Sequence, residues 1–405
     1  MTVEGLRPDG QLNPVQQAMV DCHGSQCGFC TPGFVMAMTG LREETDDLDE
    51  SQLRRGLTGN LCRCTGYTPI IESGLKCNDA QRDRLNELYP PEPLLAEFEL
   101  LREQPVTLEA EWFGECHIAA CPSTLAHALA FLADHPAATI VAGATDLGVR
   151  INKSGRLPPV ILDLNRIQNL DFIHVGNVGE IQIGALATWA DVLAACEPLF
   201  PEFTRILSLF GAPQIRHVGT VAGNIANASP IADSLPFLFV SEALVCIASR
   251  DEMRVININD FYHGYKQTDL KPGELICAIR IPRAEPADLL RLYKVTRRRD
   301  LDISTFTAAL RLRLRRLRLS DEETITHAAI ALGAVGPTVL RARRAEQFLL
   351  AKPFTEETMQ AAADIAVEET TPITDVRGSA NYRRQLTRNI FLKFYHQHQV
   401  DMVTT

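Results

Sequence analysis

Four cysteines fall in two tight pairs, Cys27 and Cys30 in QCGFC and Cys62 and Cys64 in LCRCTG, with thirty-one residues between the pairs. Thiolates so spaced chelate a soft metal, and both zinc and a [2Fe-2S] cluster accept four of them. The common zinc modules join C-x2-C to a second C-x2-C or to histidines. The C-x-C second pair therefore favours iron-sulfur over zinc, with unconnected or disulfide-forming cysteines as the remaining reading. Gly24, Gly28, Gly59 and Gly66 let backbone N–H groups approach sulfur, and Phe29, Leu61 and Tyr67 are expected to shield the centre from water.

Helix signals place these loops. Asn13-Pro14, Thr31-Pro32 and Thr68-Pro69 each set a capping side chain before a proline at the first helical position, so helices start near residues 14, 32 and 69. A fourth fits Asp49 to Leu57, with acids at its start and Arg54 and Arg55 in its last turn. In an up-down arrangement of four short helices, the loop between the first two and the loop between the last two share one end. Residues 1–77 are thus read as a helical metal-binding domain with its thiols brought together.

Two further segments have the composition of loops that cradle a diphosphate. Thr139 to Asp146 (TIVAGATD) is a strand running into small residues, and GTVAGNIANASPIADSLP, residues 219–236, has eleven Gly, Ala, Ser, Thr or Asn residues in eighteen. Backbone N–H groups there can reach phosphate oxygens; tight turn packing explains the same composition. Neither segment is the G-x-G-x-x-G of a nicotinamide-binding Rossmann unit.

Around these segments the chain reads as α+β and multidomain. Residues 78–120 carry Pro90, Pro91 and Pro93 and are read as a linker ordered against its neighbours. A mixed α/β domain is expected over 121–286, and a separate α+β domain over 287–400, with strands at Leu310–Leu314 and His327–Leu332 followed by three helices. Leucine and arginine alternate from Leu310 to Arg315, the period of a strand with one wet face. Forty basic against fifty acidic residues give a net charge of −10, which argues against nucleic acid or acidic membrane as partner. No run approaches membrane-spanning length and no signal peptide is visible, so a cytoplasmic protein is expected. Cys22, Cys77, Cys116, Cys121, Cys196, Cys246 and Cys277 are read as structural thiols.

DCHGSQCGFCTPGFVMAM followed by GNLCRCTGYTPI resembles the second iron-sulfur domain of the molybdenum hydroxylases, the family of xanthine dehydrogenase and aldehyde oxidase. The two small-residue segments resemble the family's FAD-binding domain of the PCMH type. VTRRRDLDISTF and TDVRGSANYRR match its C-terminal flavoprotein domain, so the likeness covers almost the whole chain. It implies that Cys27, Cys30, Cys62 and Cys64 ligate a [2Fe-2S] cluster. It also implies that Thr139, Ile140, Val141, Ala142, Gly143, Ala144, Thr145 and Asp146, with Thr220, Val221, Ala222, Gly223 and Asn224, hold the FAD diphosphate and ribityl chain. Phe210 and Ile276 would contact adenine or isoalloxazine, Asp233 the ribityl or adenosine part, and Lys294 the flavin ring, where a cation stabilises reduced flavin. Ala144, Ala222 and Ala232 stand where glycine is common in relatives, which would cost FAD affinity if the backbone there is left-handed.

The resemblance is nearest to the small subunit of bacterial xanthine dehydrogenase. It implies a molybdopterin-binding large subunit as partner, a heterotetramer of two small and two large subunits, and NAD+ as the acceptor of electrons from FAD. Gln26 resembles a glutamine that contacts the pterin across the subunit boundary. The family's plant-type ferredoxin domain, with its C-x4-C-x2-C set, has no counterpart before Cys22. The alternatives are a subunit of an aldehyde or carbon monoxide dehydrogenase, a free-standing flavoprotein oxidoreductase, and a non-catalytic metal-stapled scaffold.

Overall fold

The computed structural model describes all residues except 8–9, 80–83, 113, 178, 284, 317–322 and 405. Two compact units emerge, one of Met1–Glu103 with Gly211–Gln214, the other the body formed by Gln104–Phe210 with Ile215–Thr405.

The first unit has the four expected helices, Pro14–Asp21, Thr31–Glu44, Glu50–Gly56 and Thr68–Lys76. Two of them begin in capping boxes. The Asn13 side chain accepts from the Gln16 N–H at 2.8 Å while Gln16 accepts from the Asn13 N–H at 3.0 Å, and Asp49 and Gln52 repeat the exchange at 2.7 and 2.8 Å. Met38, Leu53 and Ile70, each fully buried, form the core with Val15, Met19 and Phe34. A Cβ on Gly74 would come within 2.6 Å of the Leu53 side chain, so glycine there sets how closely the third and fourth helices approach.

The segment read as a linker, 78–120, is more structured than expected. It carries the helices Leu85–Leu88 and Glu92–Arg102, then the strands Val106–Trp112 and Glu115–Cys121. These strands pair as a hairpin, and Glu115–Cys121 adds in parallel to Val160–Asp163, which pairs with Thr139–Val141. The α/β body therefore starts at the hairpin rather than at Cys121; the alternation in TLEAEW marks an edge strand.

A five-stranded antiparallel sheet follows, in the order Ile173–Val175, Ile181–Gly184, Leu275–Ile281, Leu244–Ala248 and Met253–Asn257. The C-terminal part is a meander of Asp288–Val295, Phe306–Arg316, Glu323–Gly333 and Leu340–Arg341, with helices Arg343–Leu349, Glu356–Glu368 and Ala380–Thr404. Its central strands are buried on both faces. Ala309, Ala329 and Ala331 join the core of the five-stranded sheet, while Leu310, Leu312, Ile330 and Leu332 join Met359, Phe391 and Phe394 of the helices.

The alternating leucines and arginines do lie on a strand, but its arginine face is only partly wet. Arg311 and Arg313 converge on Asp288, with Nε contacts of 2.6 and 2.7 Å, and Arg311 also donates to the Val240 carbonyl. Burial raises the Asp288 carboxyl, but the two guanidinium groups outweigh it and hold the group below the usual carboxylate range. Asp288→Ala should destabilise the body by about 3 kcal/mol at pH 7, since it strands two cations. Because the native carboxyl titrates below its unfolded value, its contribution is complete above about pH 4 and fades as pH falls further. Urea unfolding of wild type and variant should show a gap that narrows with acid; a constant gap would contradict this.

Candidate functional site

The first unit brings all four predicted thiols together. Cys27 and Cys30 lie in the loop before Thr31–Glu44, and Cys62 and Cys64 in the loop before Thr68–Lys76. They meet as two cross-loop pairs: Cys64 Sγ lies 3.6 Å from Cys27 Sγ, and Cys30 lies near enough to Cys62 to perturb its ionisation. Two thiolates on one tetrahedral metal at about 2.3 Å stand about 3.8 Å apart, so the Cys27–Cys64 separation is that of two ligands on one metal atom. Among the described residues no three His, Cys, Asp or Glu side chains converge on a single ion. Paired thiols of this kind are the ligand set a two-iron cluster takes, two sulfurs to each iron.

Local hydrogen bonds prepare the sulfurs to carry charge. Cys62 Sγ lies 3.3 Å from the Thr65 hydroxyl and accepts from the backbone N–H groups of Cys64 at 3.4 Å and Thr65 at 3.5 Å. The Thr65 hydroxyl, then these N–H groups, bring its thiol down to about 7. Its mate Cys30 is pushed up to about 11 by burial and by the neighbouring Cys62. In the other pair the Phe29 N–H lowers Cys27, while donation to Cys27 raises Cys64. Each pair therefore holds one sulfur whose pKa is lowered and one whose pKa is raised. The expected shielding is only partly present: Tyr67 packs edge-on to Phe34 and its hydroxyl accepts from the Cys62 N–H, but Phe29 is 96% exposed and Leu61 61%. These two sit on outward loop tips, with Cys27 and Cys64 also exposed.

The second unit contains a cavity of about 640 Å³ between its parallel sheet and the five-stranded sheet. Thr139 to Asp146 form one wall, Thr220, Ala222, Gly223 and Asn224 another, and Phe210 and Ile276 also face it. One main-chain approach joins the walls and a second tightens the turn before Thr220. A Cβ on Gly143 would lie 1.9 Å from the Val218 carbonyl oxygen, and one on Gly219 would lie 2.9 Å from that of Ile215. Only glycine permits such contact at residue 143. Thr220 caps the helix Val221–Asn227 by accepting from the Gly223 N–H at 3.0 Å, leaving backbone donors at that wall for an anionic ligand.

Three predicted residues stand elsewhere. Val221 is buried beneath the wall. Lys294 and Asp233 lie together but off the cavity lining: Lys294 Nζ donates to Asp233 Oδ2 at 2.5 Å, Ser304 Oγ at 2.9 Å and the Asp302 carbonyl at 3.1 Å. Both side chains are buried, so the Lys294 charge is already matched by Asp233. Of the three alanines only Ala144 has a left-handed backbone, with φ of 55°; Ala222 is helical. Trp189, Ile215, Leu270, Leu275, Arg150 and Lys266 also line the cavity and were not anticipated. Trp189, edge-on to Phe210 at 5.1 Å, follows a Thr188–Asp191 capping box that the sequence does display. Lys266 and Leu270 come from a distant hairpin and carry no local signal.

A thiol site for two metal atoms and a dinucleotide-sized cavity define an iron-sulfur flavoprotein. Residues 2–74 match a [2Fe-2S] binding domain, 114–284 the FAD binding domain in molybdopterin dehydrogenase, and 291–398 the CO dehydrogenase flavoprotein C-terminal domain. The chain belongs to the molybdenum hydroxylase family and is its electron-transfer FAD and iron-sulfur module. It is 30% identical to aldehyde oxidase 2 of Rattus norvegicus over 97% of its length and 33% of that protein. It is 28% identical to xanthine dehydrogenase 1 of Arabidopsis thaliana over 98% of its length and 33% of that protein. The chain thus spans about a third of the length of these relatives. A carbon monoxide dehydrogenase from Hydrogenophaga pseudoflava that lacks the Mo-pyranopterin moiety is similar in structure, with a TM-score of 0.63 and 28% identity over 68% of this chain and 94% of that one. Quinoline 2-oxidoreductase from Pseudomonas putida 86 gives 0.61 and 28% over the same shares.

Gly143→Ala should cost about 3 kcal/mol, because the methyl has no room against the Val218 carbonyl. Ala144→Gly should instead stabilise by about 1 kcal/mol by relieving a left-handed alanine. Urea unfolding of the two variants checks both signs, and equal effects would contradict the backbone argument.

Proposed function

We propose that this chain is the electron-transfer subunit of a xanthine dehydrogenase. A molybdopterin-binding large subunit would oxidise a purine, and electrons would pass through a [2Fe-2S] cluster on Cys27, Cys30, Cys62 and Cys64 to FAD, then to NAD+. The observation that carries the electron-transfer reading is the meeting of the thiols as cross-loop pairs, Cys27 and Cys64 standing 3.6 Å apart, on a chain that also encloses a dinucleotide-sized cavity. When bound, the cluster supplies one-electron transfer and FAD couples it to two-electron chemistry. The chain's own residues do the rest. The Thr65 hydroxyl and the Cys64 and Thr65 N–H groups stabilise charge on Cys62, and the Gly143 loop and Thr220-capped helix present main chain to the diphosphate. Trp189, Phe210 and Ile276 give the ring systems apolar walls.

Likeness to plant xanthine dehydrogenases at 28% identity supports the purine reading. The aldehyde oxidase at 30% supports an aldehyde as the second reading. A partner is also supported by the helix Glu92–Arg102, which buries no side chain and leaves Leu94, Leu95, Phe98 and Leu101 about half exposed or more. Eleven residues are marginal as an isolated helix, so a covering surface on the large subunit accounts for it. The assembly is read as two small and two large subunits in the cytoplasm, bound to neither nucleic acid nor membrane. No helix among the described residues is long and apolar enough to cross a membrane.

Cys62→Ser should remove the iron and the reduced-cluster EPR signal while leaving FAD content within about a factor of two, since the ligand lies in a different unit from the cavity. Retention of two irons would contradict the ligand assignment, and zinc in the wild type would contradict the cluster. NADH formation from xanthine by the co-purified complex tests the finer reading; turnover of aldehydes but not xanthine would replace it.

A further inference from the structure

The cavity has a charged end that the small-residue loops do not explain. Arg150 projects from the second turn of the helix Leu147–Ser154, and Lys266 sits in the turn between the strands Tyr262–Gly264 and Gln267–Thr268; both line the cavity. Neither has a carboxylate partner among the described residues. Among the described residues Lys266 Nζ donates only to Asn227, to its side-chain oxygen at 2.7 Å and to its carbonyl, at the end of the helix Val221–Asn227. Among the described residues Asp146 is the one acid lining the cavity, so two cations face one carboxylate there; burial lowers the pKa of Lys266, Arg150 adds to that and Asp146 opposes it.

The turn that presents Lys266 is built to stay in place. Lys266 itself has φ of 57°, a conformation that glycine or asparagine adopts more readily, which marks a position held for its side chain. On one side the Tyr262 hydroxyl donates to the Ile225 carbonyl at 2.9 Å. On the other, Arg254 grips Asp269 and Glu274, with contacts of 2.5 to 2.8 Å. Glu274 is 7% exposed, so this is an anchored clamp rather than a surface pair.

We propose that Arg150 and Lys266 form an anion site that receives a phosphate of the bound flavin dinucleotide, with Lys266 moving from Asn227 to the phosphate oxygen. The inference rests on the FAD reading of the cavity and adds side-chain cations to its main-chain donors. A charge-assisted contact of this kind fixes the phosphate end while Trp189, Phe210 and Ile276 take the rings.

The test is FAD titration of the purified full chain freed of flavin, followed by fluorescence quenching at low and high salt, with thermal unfolding as a folding control. Lys266→Gln and Arg150→Gln should each weaken FAD about tenfold or more at low salt and flatten the salt dependence, because the lost term is screened. Lys266→Arg should recover most of the affinity. Wild type that binds FAD, with both glutamine variants within twofold of it, would overturn the anion site and leave the FAD reading intact. Equal loss at both salt concentrations would also overturn it, by showing a structural role. Wild type that binds no FAD would overturn site and reading together.

Discussion

The constraint on which the metal-binding unit depends is a separation of 3.6 Å between two sulfurs that belong to loops thirty-one residues apart. Short helices on either side of each loop fix the loop ends, and glycine at residue 74 lets two of those helices close on Leu53. The pairs are also chemically unequal. Cys62 sits among donors and Cys27 receives an N–H, which lower their pKa values, while those of Cys30 and Cys64 are raised. Thiols bind metal as thiolates, so loading releases protons and is favoured as pH rises.

In the second unit the comparable constraint is main-chain contact. The loop at Gly143 touches the residues before Thr220 so closely that no side chain fits at that position. The walls are drawn from both sheets and from the hairpin around Lys266, whose clamp at Arg254 is independent of either small-residue loop. The buried Lys294–Asp233–Ser304 cluster ties the meander to the end of the second small-residue segment. That cluster reads as a structural joint, because its charges already balance.

The helices of the first unit were legible because their caps are local: Asn13-Pro14 and Asp49 with Gln52 announce themselves within four residues. The thiol set was legible from spacing, and the two loops of the cavity from their small residues. The hairpin over 106–121 was not, since a strand exposed along most of its length has no buried period to display. Phe29 and Leu61 misled in the opposite sense: apolar residues beside a metal loop suggest shielding, yet both point outward. Arg150 and Lys266 depend on tertiary approach of elements more than a hundred residues apart, which no local pattern encodes.

The measurement that bears most directly on an electron conduit is anaerobic reductive titration of the purified chain, followed by flavin absorbance and cluster EPR. The account predicts about three electrons per chain, two to FAD and one to a two-iron cluster, with both signals changing in one preparation. Uptake of two electrons with flavin bleaching alone, or no uptake by a zinc-bearing colourless chain, would contradict it.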